Sequence, residues 1–136
     1  MKGERMGRKR RVRILIVDDE PAIREVMRLI LKNYEVVEAS NGIEALKKCE
    51  EFKPDLILMD IMMPRMNGIE ATKAILEKFP DAKIVAVTAY ATHKGKEMLE
   101  AGAVDILEKP FGRKKLEELV ESLVSDKEKK SKKGKK

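Results

Sequence analysis

The sequence predicts an α/β domain, a doubly wound parallel sheet of five strands built as β-α repeated five times. Three observations carry this reading. Short apolar runs of strand length alternate with amphipathic stretches of helix length through residues 12–124, the alternation that builds parallel sheets with helices on both faces. Runs such as Ile14-Leu15-Ile16-Val17 and Ile84-Val85-Ala86-Val87 are continuously apolar, as strands covered on both faces require. And three of the strand-like runs end in polar residues, Asp18, Asp60 and Thr88, with none of that kind in mid-run.

Each element has its own signal. Val12 to Val17 is the first strand, and Pro21 stands at the first position of a helix, where no donor is needed. Ile23, Val26, Met27 and Ile30 recur at helical spacing and carry that helix to about Lys32. Asn33 and Tyr34 turn the chain into Glu35-Val36-Val37-Glu38, whose bracketing charges mark an edge strand. Ser40-Asn41-Gly42 is a turn and cap. Ala45, Leu46 and Cys49 trace the second helix, which ends before Pro54. Leu56 to Met59 is the third strand. Asn67-Gly68 opens the third helix, with Ala71, Thr72, Ile75 and Phe79 on one side, and Pro80-Asp81 stops it. The fourth strand is Ile84 to Val87. The fourth helix covers about 93–100 and ends at Gly102, a suitable left-handed cap. Ala103 to Leu107 is the fifth strand, and Leu116, Leu119, Val120 and Leu123 mark the last helix. Right-handed crossovers with short links select the strand order 2-1-3-4-5, the flavodoxin-like arrangement.

The 136 residues suffice for one domain with a buried core. The net charge of +6 is unevenly spread. Residues 1–13 hold seven Lys/Arg against one Glu, and residues 126–136 hold seven Lys against two acids; the remaining 14–125 is net −5. Residues 1–11 and 125–136 are therefore read as disordered basic ends flanking an ordered domain at 12–124. The single cysteine, Cys49, excludes an internal disulfide and is expected half-buried on its helix. No apolar run approaches the length of about 20 residues that spans a bilayer, and the basic start lacks a signal peptide's apolar stretch. A cytoplasmic protein without a membrane role is expected.

The chemistry gathers at the carboxyl ends of the strands, where open α/β sheets bind their ligands. Strand one delivers Asp18 and Asp19, strand three Asp60, strand four Thr88, and Lys109 follows strand five. Like charges about 4 Å apart repel by about 4 kcal/mol even at an effective dielectric near 20, so three carboxylates call for a counter-ion. Hard oxygen ligands suit Mg²⁺, with Mn²⁺ as a substitute. A metal, a lysine and a hydroxyl around one carboxylate make a phosphoryl-transfer site, with the Asp as acceptor.

Ile16-Val17-Asp18-Asp19, Met59-Asp60-Ile61-Met62-Met63-Pro64-Arg65-Met66-Asn67-Gly68, Val87-Thr88-Ala89-Tyr90, Ala101-Gly102-Ala103 and Lys109-Pro110-Phe111 resemble the receiver domain of response regulators in two-component signalling, in spacing and in order. The resemblance spans about 12–124 and implies a stand-alone receiver of the chemotaxis or phosphorelay kind. It implies that Asp60 accepts a phosphoryl group from a phosphohistidine on a sensor histidine kinase or phosphotransfer protein. It assigns Asp19, Asp60 and the backbone carbonyl of Met62 as direct Mg²⁺ ligands, with Asp18 acting through water. Thr88 and Lys109 are to bind the phosphoryl oxygens, and the Lys109-Pro110 bond is to be cis. The output partner is to be met by the helix 4–strand 5–helix 5 face, about 91–124. One departure stands out: Ile106 occupies the position three before the lysine where many receivers carry Tyr or Phe. Met62 and Tyr90 also lack an amide or acid to orient water, which implies slow self-dephosphorylation.

Other function classes compete less well. A haloacid-dehalogenase-type phosphatase needs Asp-x-Asp after strand one, and Asp18-Asp19-Glu20 breaks that spacing. Nucleic-acid binding through the basic ends would be weak and salt-dependent, without aromatics for stacking; a receiver-fold scaffold is the remaining alternative. His93, the lone histidine, is expected exposed at the start of helix four, and the Met59, Met62, Met63, Met66 group is expected to pack rather than to hold a metal.

Overall fold

A computed structural model of the chain describes residues 11–89 and 93–133 of the 136. The elements are β1 (Arg13–Val17), α1 (Pro21–Ile30), β2 (Glu35–Ala39), α2 (Gly42–Phe52), β3 (Leu56–Asp60), α3 (Gly68–Lys78), β4 (Ile84–Thr88), α4 (His93–Ala101), β5 (Asp105–Glu108) and α5 (Arg113–Lys133). All strand pairs are parallel, and their order is β2-β1-β3-β4-β5, the doubly wound order expected. β2 is an edge strand, as its bracketing charges suggested.

The continuous apolar runs divide by the two-residue period of a strand. Leu15, Val17, Ile57, Met59, Ile84 and Ala86 join one core with α2, α3 and α4, through Ala45, Cys49, Ala71, Ile75 and Met98. Ile14, Ile16, Leu56, Leu58, Val85 and Val87 join the other with α1 and α5, through Met27, Leu116 and Val120. The register Ile14↔Leu56 through Val17↔Met59 and Ile57↔Ile84 through Asp60↔Val87 sets the ends of β1, β3 and β4 side by side. A register slip would turn both cores inside out, so burial on two faces fixes where the strands deliver their polar ends.

Helix starts follow their caps. The Asn41 side chain accepts from Glu44 N at 2.9 Å. Asn67 and Glu70 cap each other reciprocally at 2.9 and 3.0 Å, the capping box. At the end of α4, Gly102 takes φ +119°, while Ala103 N donates to Met98 O at 2.9 Å. That closure keeps Ala103 with the helix end, so β5 begins at Asp105 rather than at Ala103.

Three further expectations are corrected. Val26 is 49% exposed, because the inward side of α1 is centred on Met27 and continues to the buried Leu31. Cys49 is fully rather than half-buried, at 3% exposure, and burial pushes its thiol up to about 11. α5 does not end near residue 124; its backbone stays helical to Lys133. A lysine- and glutamate-rich tail has nothing to bury, but helix propagation from a packed segment needs no further burial. Among the described residues, no helix is long and apolar enough to cross a membrane.

Candidate functional site

β1 and β3 end beside one another and place Asp18, Asp19 and Asp60 in one cluster. One carboxylate oxygen from each lies within 4.8 Å of the other two. Asp18 and Asp60 are 1% and 7% exposed, whereas Asp19 is open to solvent. The crossover from β5 brings in Lys109, whose Nζ donates to Asp18 Oδ2 at 2.9 Å and lies 3.6 Å from Asp60 Oδ1. Thr88, at the end of β4, is buried, and its carbonyl accepts from Lys109 N at 2.8 Å. The Lys109-Pro110 bond is cis, as expected.

The three acids have different duties. Both oxygens of Asp18 are engaged, Oδ1 by the backbone N–H of Glu20 at 2.9 Å and Oδ2 by Lys109. The N-cap of α1 is Glu20, without a side-chain capping bond, so Asp18 and Asp19 are not simply helix caps. Asp60 Oδ1 accepts from Ile61 N at 2.9 Å and is the oxygen that Lys109 approaches. Burial first, and then the Asp18 carboxylate, push Asp60 up to about 6; Lys109 and the Ile61 N–H oppose them only in part. For Lys109, burial disfavours the ammonium, but the Asp18 hydrogen bond and the charges of Asp60, Asp18 and Glu20 outweigh it, and its pKa is raised.

Lys109 therefore meets two of the three clustered carboxylates. A hard divalent cation fits the remaining charge and the all-oxygen donor set, with Asp19 exposed and ready to reach it. Met62 is 55% exposed, with Met59 and Met63 buried, so the methionines divide between packing and surface. Tyr90 lies outside the described residues. Ile106 is half-buried on β5 opposite Ala86 and packs onto the α2–α4 core. His93 begins α4 with its side chain 81% exposed, 3.8 Å from Glu97.

Two supporting residues had no clear sequence signal. Arg24 donates to the Asp18 carbonyl at 2.6 Å and to Glu38 at 2.9 Å, tying the acidic loop to α1 and β2. An arginine on an amphipathic helix otherwise reads as surface. Gly68 reads as helix punctuation, yet a Cβ there would sit 2.2 Å from Asp60 O and 2.8 Å from Ile61 Cα, and Gly68 N donates to Ile61 O at 2.8 Å. The first turn of α3 is pressed against the backbone that carries Asp60.

Known proteins resemble this chain in sequence and fold. The chemotaxis protein CheY of Thermotoga maritima is 46% identical over 103 residues, covering 73% of this chain and 86% of that protein. The solved structure of the response regulator TrrA from Thermotoga maritima, in complex with Mg²⁺–BeF, matches with TM-score 0.76 and 41% identity, covering 82% of this chain and 98% of that one. A protein-glutamate methylesterase/protein-glutamine glutaminase of Hahella chejuensis is 41% identical over 105 residues, but the match spans only 30% of that longer protein; the shared part is the α/β domain. With the family model of the response regulator receiver domain matching residues 14–121, the chain belongs to the response regulator receiver domains.

Proposed function

We propose that Asp60 is the phosphoryl acceptor of this receiver, supplied by a phosphohistidine on a sensor histidine kinase or phosphotransfer protein. The observation that carries the assignment is the asymmetry of the two buried acids. Both Asp18 oxygens are bonded within the protein, whereas the contacts of Asp60 fall on Oδ1, leaving Oδ2 to attack phosphorus. The P–N bond of the donor breaks as the P–Oδ2 bond forms, and the histidine leaves as neutral imidazole after taking up a proton.

Asp19, Asp60 and the Met62 carbonyl would hold Mg²⁺ directly and Asp18 through water, with Mn²⁺ as a substitute. When bound, the cation neutralises charge on the phosphoryl oxygens. Lys109 is held by Asp18 within reach of the same oxygens and supplies the second positive charge. Thr88 offers a hydroxyl at the end of β4 and moves toward the modified Asp60. The donor approaches over Ile23, Val26, Ala89 and Phe111, an apolar depression of about 340 Å³ that Lys109 also lines.

Phosphorylation shifts the population between two states, read through the α4–β5–α5 face. Exposed Leu99 and Val104 on that face support it as a partner surface. Ile106 has no ring to turn between exposed and buried positions, so the readout there is a change of packing. Met62 and Tyr90 supply neither an amide nor an acid to orient water, and the phosphoryl state is long-lived.

Incubation with acetyl phosphate and Mg²⁺, followed by intact mass, tests the assignment. One phosphoryl adduct is expected, lost in Asp60→Asn and in excess chelator. An adduct that persists in Asp60→Asn would refute it, and a lifetime as short as a fast chemotaxis regulator's would refute the slow hydrolysis.

A further inference from the structure

The outer edge of β2 carries unpaired backbone groups. Among the described residues, β2 pairs with β1 alone. Glu35 N donates to Val12 O at 2.9 Å, and Ala39 O accepts from Asp18 N at 3.1 Å. Residues 35, 37 and 39 therefore turn their backbone groups toward β1. By the alternation of a strand ladder, Val36 and Glu38 turn their N–H and C=O groups outward. In register these two stand opposite Ile14 and Ile16, so their side chains lie on the face covered by α1 and α5.

A groove of about 730 Å³ runs between α1 and that edge. It is lined by Leu29, Tyr34 and Val36 and by the cations Arg24, Arg28 and Lys32. Two of its acids are already engaged. Glu38 meets Arg24 at 2.9 Å and Arg28 at 3.4 Å, and Glu35 meets Arg13 at 3.6 Å. Arg24 is held by Glu38 and by the Asp18 carbonyl. The Arg28 side chain stays 54% exposed, and Lys32 is exposed. These two cations outnumber Glu25, the third acid of the lining.

We propose that β2 takes up an acidic peptide segment of another protein as a further strand. The outward groups of Val36 and Glu38 pair with its backbone, and Arg28 and Lys32 meet carboxylates placed two residues apart. The spacing agrees. Leu31 N still donates to Met27 O at 2.9 Å, so Arg28 to Lys32 makes about one helical turn, about 6 Å along the axis. Alternate residues of a strand stand about 6.7 Å apart. Leu29 and Tyr34 offer apolar surface to the methylene stems of such side chains. A second copy fits less well, because pairing β2 with β2 sets the Glu35 and Glu38 carboxylates of both copies along one short seam.

The test is fluorescence anisotropy of the full chain with a labelled Gly-Val-Glu-Val-Glu-Val-Gly peptide, joined to amide exchange read by NMR. In the free chain, the Val36 and Glu38 amides should exchange faster than the Val37 amide. Saturating peptide should slow both at least about tenfold and leave Val37 unchanged. No slowing at Val36 and Glu38 would overturn the proposal. Replacing both peptide glutamates by Gln should weaken binding at least about tenfold. So should Arg28→Glu with Lys32→Glu, and a peptide with Lys for Glu should recover binding to that variant. Two further peptides carry N-methyl groups on the glutamates or on the valines. An added strand turns only one of these sets toward β2, so one peptide should lose binding and the other keep it. Equal binding by the two would overturn strand addition. Protection of Val36 and Glu38 that appears on raising the protein concentration, without peptide, would assign the edge to a second copy and overturn the proposal.

Discussion

The two ends of the sheet hold their charged groups in different ways. At the carboxyl end, Asp18, Asp60, Thr88 and Lys109 are held by backbone groups and by one another, on strands whose register is fixed by two buried cores. At the amino end, the partly exposed Arg13 meets Glu35 and the Phe52 carbonyl, and Lys83 meets the Leu123 carbonyl. Removing a group from the first end should disturb folding and chemistry together. Removing charge from the second should leave the fold alone. A charge coupled to the core is a mechanism; a charge attached to it is a surface.

The largest break in that contrast is expected from Gly68→Ala. The added Cβ meets backbone, Asp60 O at 2.2 Å and Ile61 Cα at 2.8 Å, and no side chain can rotate away to relieve it. A loss of about 3 kcal/mol is expected in denaturant unfolding, with slower phosphorylation because Asp60 itself must shift. Stability within about 0.5 kcal/mol of the parent would show that α3 does not press on the acceptor. Next comes Lys109→Met, which leaves Asp18 and Asp60 without their shared cation. It should cost about 2–3 kcal/mol at neutral pH without metal, part of which Mg²⁺ restores. If Mg²⁺ gives no recovery, the three acids do not form its site.

Asp60→Asn has the opposite sign. Asp60 is raised from 3.8 to about 6 by burial and by Asp18, so the folded state favours its protonated form over the unfolded chain's. Its contribution is fully present below about pH 4 and is lost as pH rises through about 6. In chelator at pH 7.5, Asp60→Asn should therefore be more stable than the parent by roughly 1–2 kcal/mol, allowing for screening at the open mouth of the site. The gap should close by about pH 4.5, and Mg²⁺ should narrow it at pH 7.5 by favouring the ionised parent. Thermal melts across this pH range measure all three, and a parent that is the more stable at pH 7.5 in chelator would contradict the strain placed on Asp60.

What the sequence disclosed follows the same division. The sheet was legible because continuous apolar runs have one meaning in a β-α repeat, and the acids were legible because they ended those runs. The strand order then brought together positions as distant as Asp18 and Lys109. Arg24 and Gly68 were not legible as parts of the site. Their roles depend on which backbone atoms approach them, the Asp18 carbonyl and the Asp60 carbonyl, and that is a tertiary fact. Val26 was misplaced because its helical spacing fits the buried stripe, while packing on β1 and β3 selects Met27 instead. The end of α5 was misjudged because lack of burial was taken as lack of structure, although lysine and glutamate propagate a helix already nucleated by Leu116 and Val120.

The smallest expected effect is the one that sharpens the contrast most. Deleting 126–136 removes seven lysines but none of the residues of either core. The packed part of α5 ends with Leu123 and Val124, which the deletion leaves in place. Surface changes away from packed features ordinarily fall within about 0.5 kcal/mol. Stability should therefore stay within about 0.5 kcal/mol of the parent, and phosphorylation by acetyl phosphate should be unchanged. A larger loss of stability would mean that the extension packs back on the domain.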